Sequence, residues 1–406
     1  MMKLLSPAGD LQKLIYAVRY GADVVYLGGT DFSMRANAGN FTDEDLTQGI
    51  KYAHDRGVSV NVAINVAVHN HDILNIINYT RRIVNMGVDG LIVSDPGVID
   101  LIKNEFPEMF LTLSTQANTT NYQSLNFWKK NGINRVVLAR ELTFQEIKEI
   151  CVKKPKDMEV EVFVHGAMCM SYSGRCMLSY FLANRDANRG DCAQPCRWKY
   201  TLTEKNRPNQ EYDIVEDGQE TYIFNSKDLC LIKYVKELKD IGVDSLKIEG
   251  RMKSNYYVAT VTNAYKTAIK RASESREYVW NDLYEELTKV SHRQYTEAFY
   301  NGLDVSAQNY ETSSYVRNYD FVAEVSENTD DFGMTKINQR NKFLIGDEVE
   351  ILSPEQCSKA VKITKIKNSE DQDRLSAPHA DEVLFIQTEP FLRMQKYDLI
   401  RRKCLQ

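Results

Sequence analysis

Eight short apolar runs recur through the first 250 residues of this chain, and that recurrence limits its folds more than any other feature. They are Lys3–Pro7, Ala22–Gly28, Val58–Ile64, Gly90–Asp95, Phe110–Ser114, Arg135–Arg140, Glu159–His165 and Ser245–Glu249. Several are near-continuous and β-branched, as strands are when both faces of a parallel sheet are covered. Amphipathic stretches such as Leu11–Tyr20 and Asn75–Met86 lie between them and read as outer helices. Gly21, Gly57, Gly87 and Gly242 punctuate the returns into strands, where a helix C-terminus favours a residue free to adopt left-handed backbone. Alternating strand and helix predicts a parallel sheet, and eight repeats predict a closed (β/α)8 TIM-like barrel rather than a doubly wound sheet.

At 406 residues the chain has room for a barrel of ~250 residues and an appended domain. Seven connections are short. The exception is a Cys-rich insertion, 166–243, between strands seven and eight, which holds five of the eight cysteines. It leaves the C-terminal face of the barrel, where the active sites of this fold sit. Ser254–Arg276 reads as a helix, and from about Val305 the pattern turns to short alternating strands. These are Phe321–Val325, Asp347–Leu352, Ala360–Thr364, Glu382–Ile386 and Tyr397–Arg401, expected to form a small antiparallel β-barrel. The expected domains are 1–300, including the insertion, and 305–406.

Composition narrows the function. Hydrophobic residues make up 43% and charged residues 26%, enough for a core with a polar surface. No apolar run approaches the ~20 residues of a membrane span. The start, with Pro7 and Asp10, lacks a signal-peptide core, so a cytoplasmic location is expected. A net charge of −5 argues against a surface that coats nucleic acid generically, while leaving room for a local basic patch. Without a secretion signal the cysteines do not read as a disulfide framework.

Their spacing points to a metal centre. Cys169 and Cys176 flank Ser173-Gly174-Arg175, Cys192 and Cys196 enclose Ala193-Gln194-Pro195, and Cys230 follows Asp228-Leu229. Thiolates hold zinc or iron–sulfur clusters, usually four at a time. The spacing differs from the paired CxxC knuckles of a zinc ribbon, which favours iron–sulfur while leaving zinc open. A nucleophilic-cysteine protease would explain one thiol and leave four unexplained. Cys151, Cys357 and Cys404 read as small buried hydrophobes.

The run Glu161-Val162-Phe163-Val164-His165-Gly166-Ala167-Met168-Cys169, followed by Ser173-Gly174-Arg175-Cys176-Met177-Leu178-Ser179, resembles the signature of the collagenase-like peptidases, family thirty-two of the peptidases of unknown catalytic type. Leu5–Gly9, Phe32–Phe41, Val93–Gly97, Arg189–Arg197, Ser226–Cys230 and Lys247–Lys253 resemble the same family, so the likeness spans the chain. In length and in its C-terminal β-domain the chain is most similar to the family's tRNA uridine 5-hydroxylation proteins. That resemblance implies oxygen-independent, prephenate-dependent hydroxylation of a wobble uridine to 5-hydroxyuridine, with tRNA as partner and prephenate as co-substrate. It also implies an iron–sulfur cluster, expected as 4Fe-4S, on Cys169, Cys176, Cys192 and Cys230, with Cys196 as the alternate. Some relatives act in pairs, so a homo-oligomer or a hetero-oligomer with a paralogue is expected.

Polar residues at strand ends are the candidates for chemistry: Asn61, Asn65, Asp95, Gln116, Asn118, Arg140, Glu141, His165, Glu249 and Arg251. His165 and Glu249 are the catalytic candidates. Prephenate is a dicarboxylate, and a guanidinium matches a carboxylate bidentately, so Arg140, Arg251 and Arg35 are the substrate-binding candidates. Arg140 beside Glu141, and Arg251 beside Glu249, also read as local ion pairs. Arg251, Lys253, Lys266, Lys270, Arg271 and Arg276 with Tyr256, Tyr257 and Tyr265 read either as an RNA face or as a solvated helix. The β-domain is a second candidate for RNA contact. A peptidase is the alternative reading, weakened by the absence of a Ser-His-Asp, HExxH or aspartic-dyad signal. A non-catalytic iron–sulfur accessory subunit is the third.

Overall fold

The computed structural model of the chain describes residues 1–29, 32, 41–169, 171–198, 227–274, 277–302, 315–355 and 358–404. Its first nine strands are β1 Lys3–Pro7, β2 Val24–Leu27, β3 Ser59–Ile64, β4 Gly90–Val93, β5 Phe110–Leu113, β6 Arg135–Val137, β7 Glu159–Ala167, β8 Asp228–Cys230 and β9 Ser245–Ile248. All but β8 are parallel and pair in sequence, and β9 closes the ring onto both β7 and β1. The expected (β/α)8 barrel forms, and each of the eight apolar runs supplies one strand.

Alternation within each strand explains why the runs look almost continuous. Leu4, Val25, Val60, Val62, Leu91 and Val93 join the core shared with the helices. Leu5, Val24, Tyr26, Ala63 and Ile92 form a separate cluster inside the ring. The helices start on side-chain caps, Asp10, Thr42, Asp95, Asn121 and Thr143, each accepting a hydrogen bond from a first-turn amide.

The insertion is only partly a loop. β7 runs on to Ala167, and β8 returns antiparallel against it with His165 opposite Cys230. Between them lie a short helix, Leu178–Ala183, and turns at Ala187–Arg189 and Pro195–Arg197. After β8 an ordinary barrel helix, Val235–Asp240, leads back to β9. The two-residue β10, Tyr295–Thr296, pairs in parallel with the outer edge of β8.

The C-terminal unit comprises β11 Tyr319–Val325, β12 Thr335–Gln339, β13 Phe343–Leu344, β14 Glu348–Leu352, β15 Lys359–Asn368, β16 Asp373–Arg374, β17 Ser376–Ala377, β18 Val383–Glu389 and β19 Leu399–Lys403. Six of them close into the expected antiparallel barrel, in the order β14, β19, β11, β12, β18, β15 and back to β14. β12 has no counterpart among the expected strands. Its inward residues are Thr335, Ile337 and Gln339, so it carries little apolar alternation.

The two barrels are packed tightly together. The Tyr16 hydroxyl donates to Glu324 at 2.7 Å and that of Tyr20 to the Leu352 carbonyl at 2.9 Å. Tyr256 of the helix Asn255–Glu274 stacks on Phe321 with ring centroids 5.3 Å apart. Buried Arg401 bonds Glu286 at 2.6 Å and Glu350 at 2.8 Å. Among the described residues no helix is long and apolar enough to cross a membrane.

Candidate active site at the barrel mouth

The barrel interior is divided. Strands β1 to β4 contribute the apolar cluster, while β6, β7 and β9 contribute a ladder of alternating charge. Near the N-terminal rim Glu159 bonds Arg135 at 2.5 Å. Arg135 reaches Glu161 at 3.2 Å, and Glu161, fully buried, lies 3.4 Å from Lys247. The Ser245 hydroxyl adds a 2.8 Å bond to Glu161. Inward positions recur every second residue of a strand, so Ser245, Lys247 and Glu249 climb the same face towards the mouth.

There the ladder opens into a pocket of ≈ 80 Å³, several times the ~10–15 Å³ that one water requires. Its polar lining includes Asn65, Gln116, Arg140, Lys247, Glu249 and Arg251, and Tyr26 and Phe163 supply its aromatic walls. Three cations therefore face one carboxylate. Lys247 is only 5% exposed and lies 4.6 Å from the Tyr26 ring centroid and 5.2 Å from that of Phe163. Burial lowers its pKa, and the negative charges of Glu161 and Glu249 oppose that shift. Arg140 donates to the Ala167 carbonyl and to the Ser173 hydroxyl, both at 2.9 Å. Its Nε is buried with no hydrogen-bond partner among the described residues.

The cysteine-bearing segment is strapped across this mouth. Arg140 holds Ser173, and Gly174 lies so close to Gln116 that a Cβ would sit 2.9 Å from its side chain. Arg189 grips Asp72 with bonds of 2.8 and 3.1 Å and lowers the Asp72 pKa to about 2. Ala67 bonds Asn188 through the backbone at 3.0 Å. Beneath the strap Gly166 adopts φ +107°, and a Cβ there would meet the Glu249 carbonyl at 2.4 Å. Only glycine fits that approach.

Cys169 and Cys192 are exposed on this segment, and Cys176 and Cys196 are partly exposed. Cys192 accepts a 3.3 Å bond from the Gln194 amide, the kind of contact that stabilises a ligating sulfur. Cys230 is placed differently. It is buried on β8, 4.0 Å from the Tyr265 hydroxyl, and burial pushes its thiol up to about 12. The donor chemistry suits an iron–sulfur cluster. Among the described residues no three His, Cys, Asp or Glu side chains are already drawn together at metal-binding distance, so the thiols would have to close around the group. Cys151 is a buried core residue, Cys404 is partly exposed, and Cys357 lies outside the described residues.

The structure thus brings Arg140, Glu249 and Arg251 together and leaves His165 apart. A β-bulge between Phe163 and His165 puts two residues of β7 opposite one of β9. Phe163 stays in the pocket, while His165 turns towards the helix layer, a re-aiming that bulges produce. Its ring sits among Tyr257, Tyr265 and Tyr295 with centroids 5.3–5.9 Å away. Burial, with His292 and Lys253 nearby, lowers its pKa to about 3. Arg35 lies outside the described residues. Asp95 caps a helix by accepting from the Val98 amide. The lysine-and-tyrosine face expected for RNA is largely internal. Tyr256, Tyr257 and Tyr265 are buried, Lys266 pairs with Asp23, and Arg271 pairs with Asp282. Arg276 is outside the described residues. Lys247, Tyr26, Phe163 and Ser173 were not among the expected site residues. A lysine inside a run otherwise as apolar as Leu246-Lys247-Ile248 was the available signal.

Comparison with known proteins places this arrangement. A tRNA hydroxylation protein of Bacillus subtilis is 40% identical over 358 residues, covering 87% of this chain and 84% of its own. One of Escherichia coli is 39% identical over 395 residues, covering 87% and 86%. A collagenase of Porphyromonas gingivalis is 32% identical over 369 residues, again covering 87% and 86%. The model of peptidase family U32 matches residues 9–309, and that of the family's C-terminal domain matches 317–401. The chain belongs to peptidase family U32 and carries both of its domains.

Proposed function

We propose that this chain is an RNA-modifying enzyme that forms 5-hydroxyuridine at the wobble position of tRNA, with prephenate as co-substrate. The observation that carries the reading is the mouth itself: Arg140, Lys247 and Arg251 around a pocket, under a cysteine-bearing strap. The names of the bacillary and enterobacterial relatives support RNA hydroxylation. An excess of cations suits a dicarboxylate, and Arg140 and Arg251 are the groups to hold it. Glu249, which lines the same pocket, would accept or return a proton at the bound substrate. An iron–sulfur cluster on Cys169, Cys176, Cys192 and Cys230, with Cys196 as alternate, would supply one-electron chemistry beside the pocket. The proposed setting is the cytoplasm.

The peptidase reading, which the Porphyromonas relative's name favours, asks for a nucleophile beside an accessible base. His165, the histidine of the cysteine motif, is buried among tyrosines instead.

Anaerobic purification with iron and sulfide analysis, followed by incubation with tRNA and prephenate, tests the proposal. Matching iron and sulfide, with hydroxylated uridine formed only when prephenate is present, is the expected result. A folded protein free of both elements and inert towards tRNA would remove it.

A further inference from the structure

The cations of the pocket do not enter it alike. Arg140 and Arg251 follow strand ends at the rim, whereas Lys247 comes from the middle of β9 and rises from the floor. An ammonium carries three donors. Here the structure supplies one acceptor, Glu161 at 3.4 Å, and two aromatic faces. Glu161 takes its hydrogen bonds from Arg135 and Ser245 on Oε2, and Lys247 is the cation beside its other oxygen, so at most one of the three ammonium donors is engaged there. Donor capacity therefore remains at the pocket floor. Arg140 supplies the same at the rim, where its two bonds go to neutral oxygens.

Phe163 adjoins both. Its ring centroid is 5.5 Å from the Arg140 guanidinium carbon and 5.2 Å from Lys247 Nζ, so about 11 Å is the most that can separate them. A small molecule with a carboxylate at each end spans such a gap, its apolar body against the ring. We infer that Lys247 anchors one carboxylate of a small dicarboxylate at the pocket floor, with Arg140 holding the other at the rim and Phe163 as the adjoining wall. The inference rests on the co-substrate reading of this pocket and assigns it a residue from outside the strand ends.

Calorimetric titration of prephenate into the anaerobically purified full chain tests it, with Lys247→Met and the double variant Lys247→Met/Glu161→Gln beside the wild type. The double variant removes the buried pair as a neutral unit and guards against misfolding, which circular dichroism and thermal melts monitor. Both variants are expected to raise the prephenate Kd roughly ten- to hundred-fold, the loss of one charge-assisted hydrogen bond. An unchanged Kd in folded Lys247→Met overturns the inference and leaves the proposed function standing. Recovery of affinity in the double variant also overturns it, since Lys247 would then serve only to neutralise Glu161. Absence of prephenate binding by the wild-type chain overturns the co-substrate reading, and this inference with it.

Discussion

Arg135 shows how much a single residue carries in this barrel. It is almost fully buried and bonds both Glu159 and Glu161, so Arg135→Ala leaves Glu161 in the interior with Lys247 as its remaining cation. Breaking a buried pair from one side costs about 3–5 kcal/mol, and urea unfolding of the variant is expected to show a loss of that size. A loss under about 1 kcal/mol would mean that water reaches Glu161. His165 gives a pH signature. The unfolded chain takes up a proton near ~6.5, whereas the folded site holds the ring neutral down to about 3. Stability from this group is therefore complete above ~6.5 and drains away as the pH falls towards the folded value. Denaturation curves across that range should fall more steeply for the wild type than for His165→Phe, and equal slopes would contradict the assignment.

The end of β7 is the element on which the site turns. Its bulge sends Phe163 into the pocket and His165 out of it, and Gly166 then lets the strand pass the Glu249 carbonyl. Gly166→Ala should cost about 1–3 kcal/mol through its positive φ. It should also weaken co-substrate binding, because Glu249 must move; a thermal melt paired with a prephenate titration separates the two effects. This element also marks the limit of what the sequence made legible. All eight barrel strands were readable, because inward and outward residues alike are apolar over most of the ring. Arg140, Glu249 and Arg251 were readable as polar residues at strand ends. His165 was not placed correctly by that rule, because a one-residue bulge reverses a side chain without altering the apolar pattern around it. Lys247 escaped because it lies within a strand, and β12 because Thr335 and Gln339 face inward.

At the scale of the whole molecule the two barrels form one body. Tyr16, Tyr20 and Arg401 are buried and hydrogen-bonded across the junction, and buried Tyr256 stacks across it on Phe321. Calorimetry is expected to give a single unfolding transition, and two resolved transitions would show that the junction contributes little. The most direct test of the account compares tRNA from a host lacking its own tRNA hydroxylation proteins, supplied with either the wild-type chain or Arg140→Ala, by mass spectrometry of the digested nucleosides. The account predicts 5-hydroxyuridine with the wild type and a drop of roughly tenfold or more with Arg140→Ala at equal protein levels. Equal amounts of the modified nucleoside from both, or none from a folded wild-type chain, would contradict it.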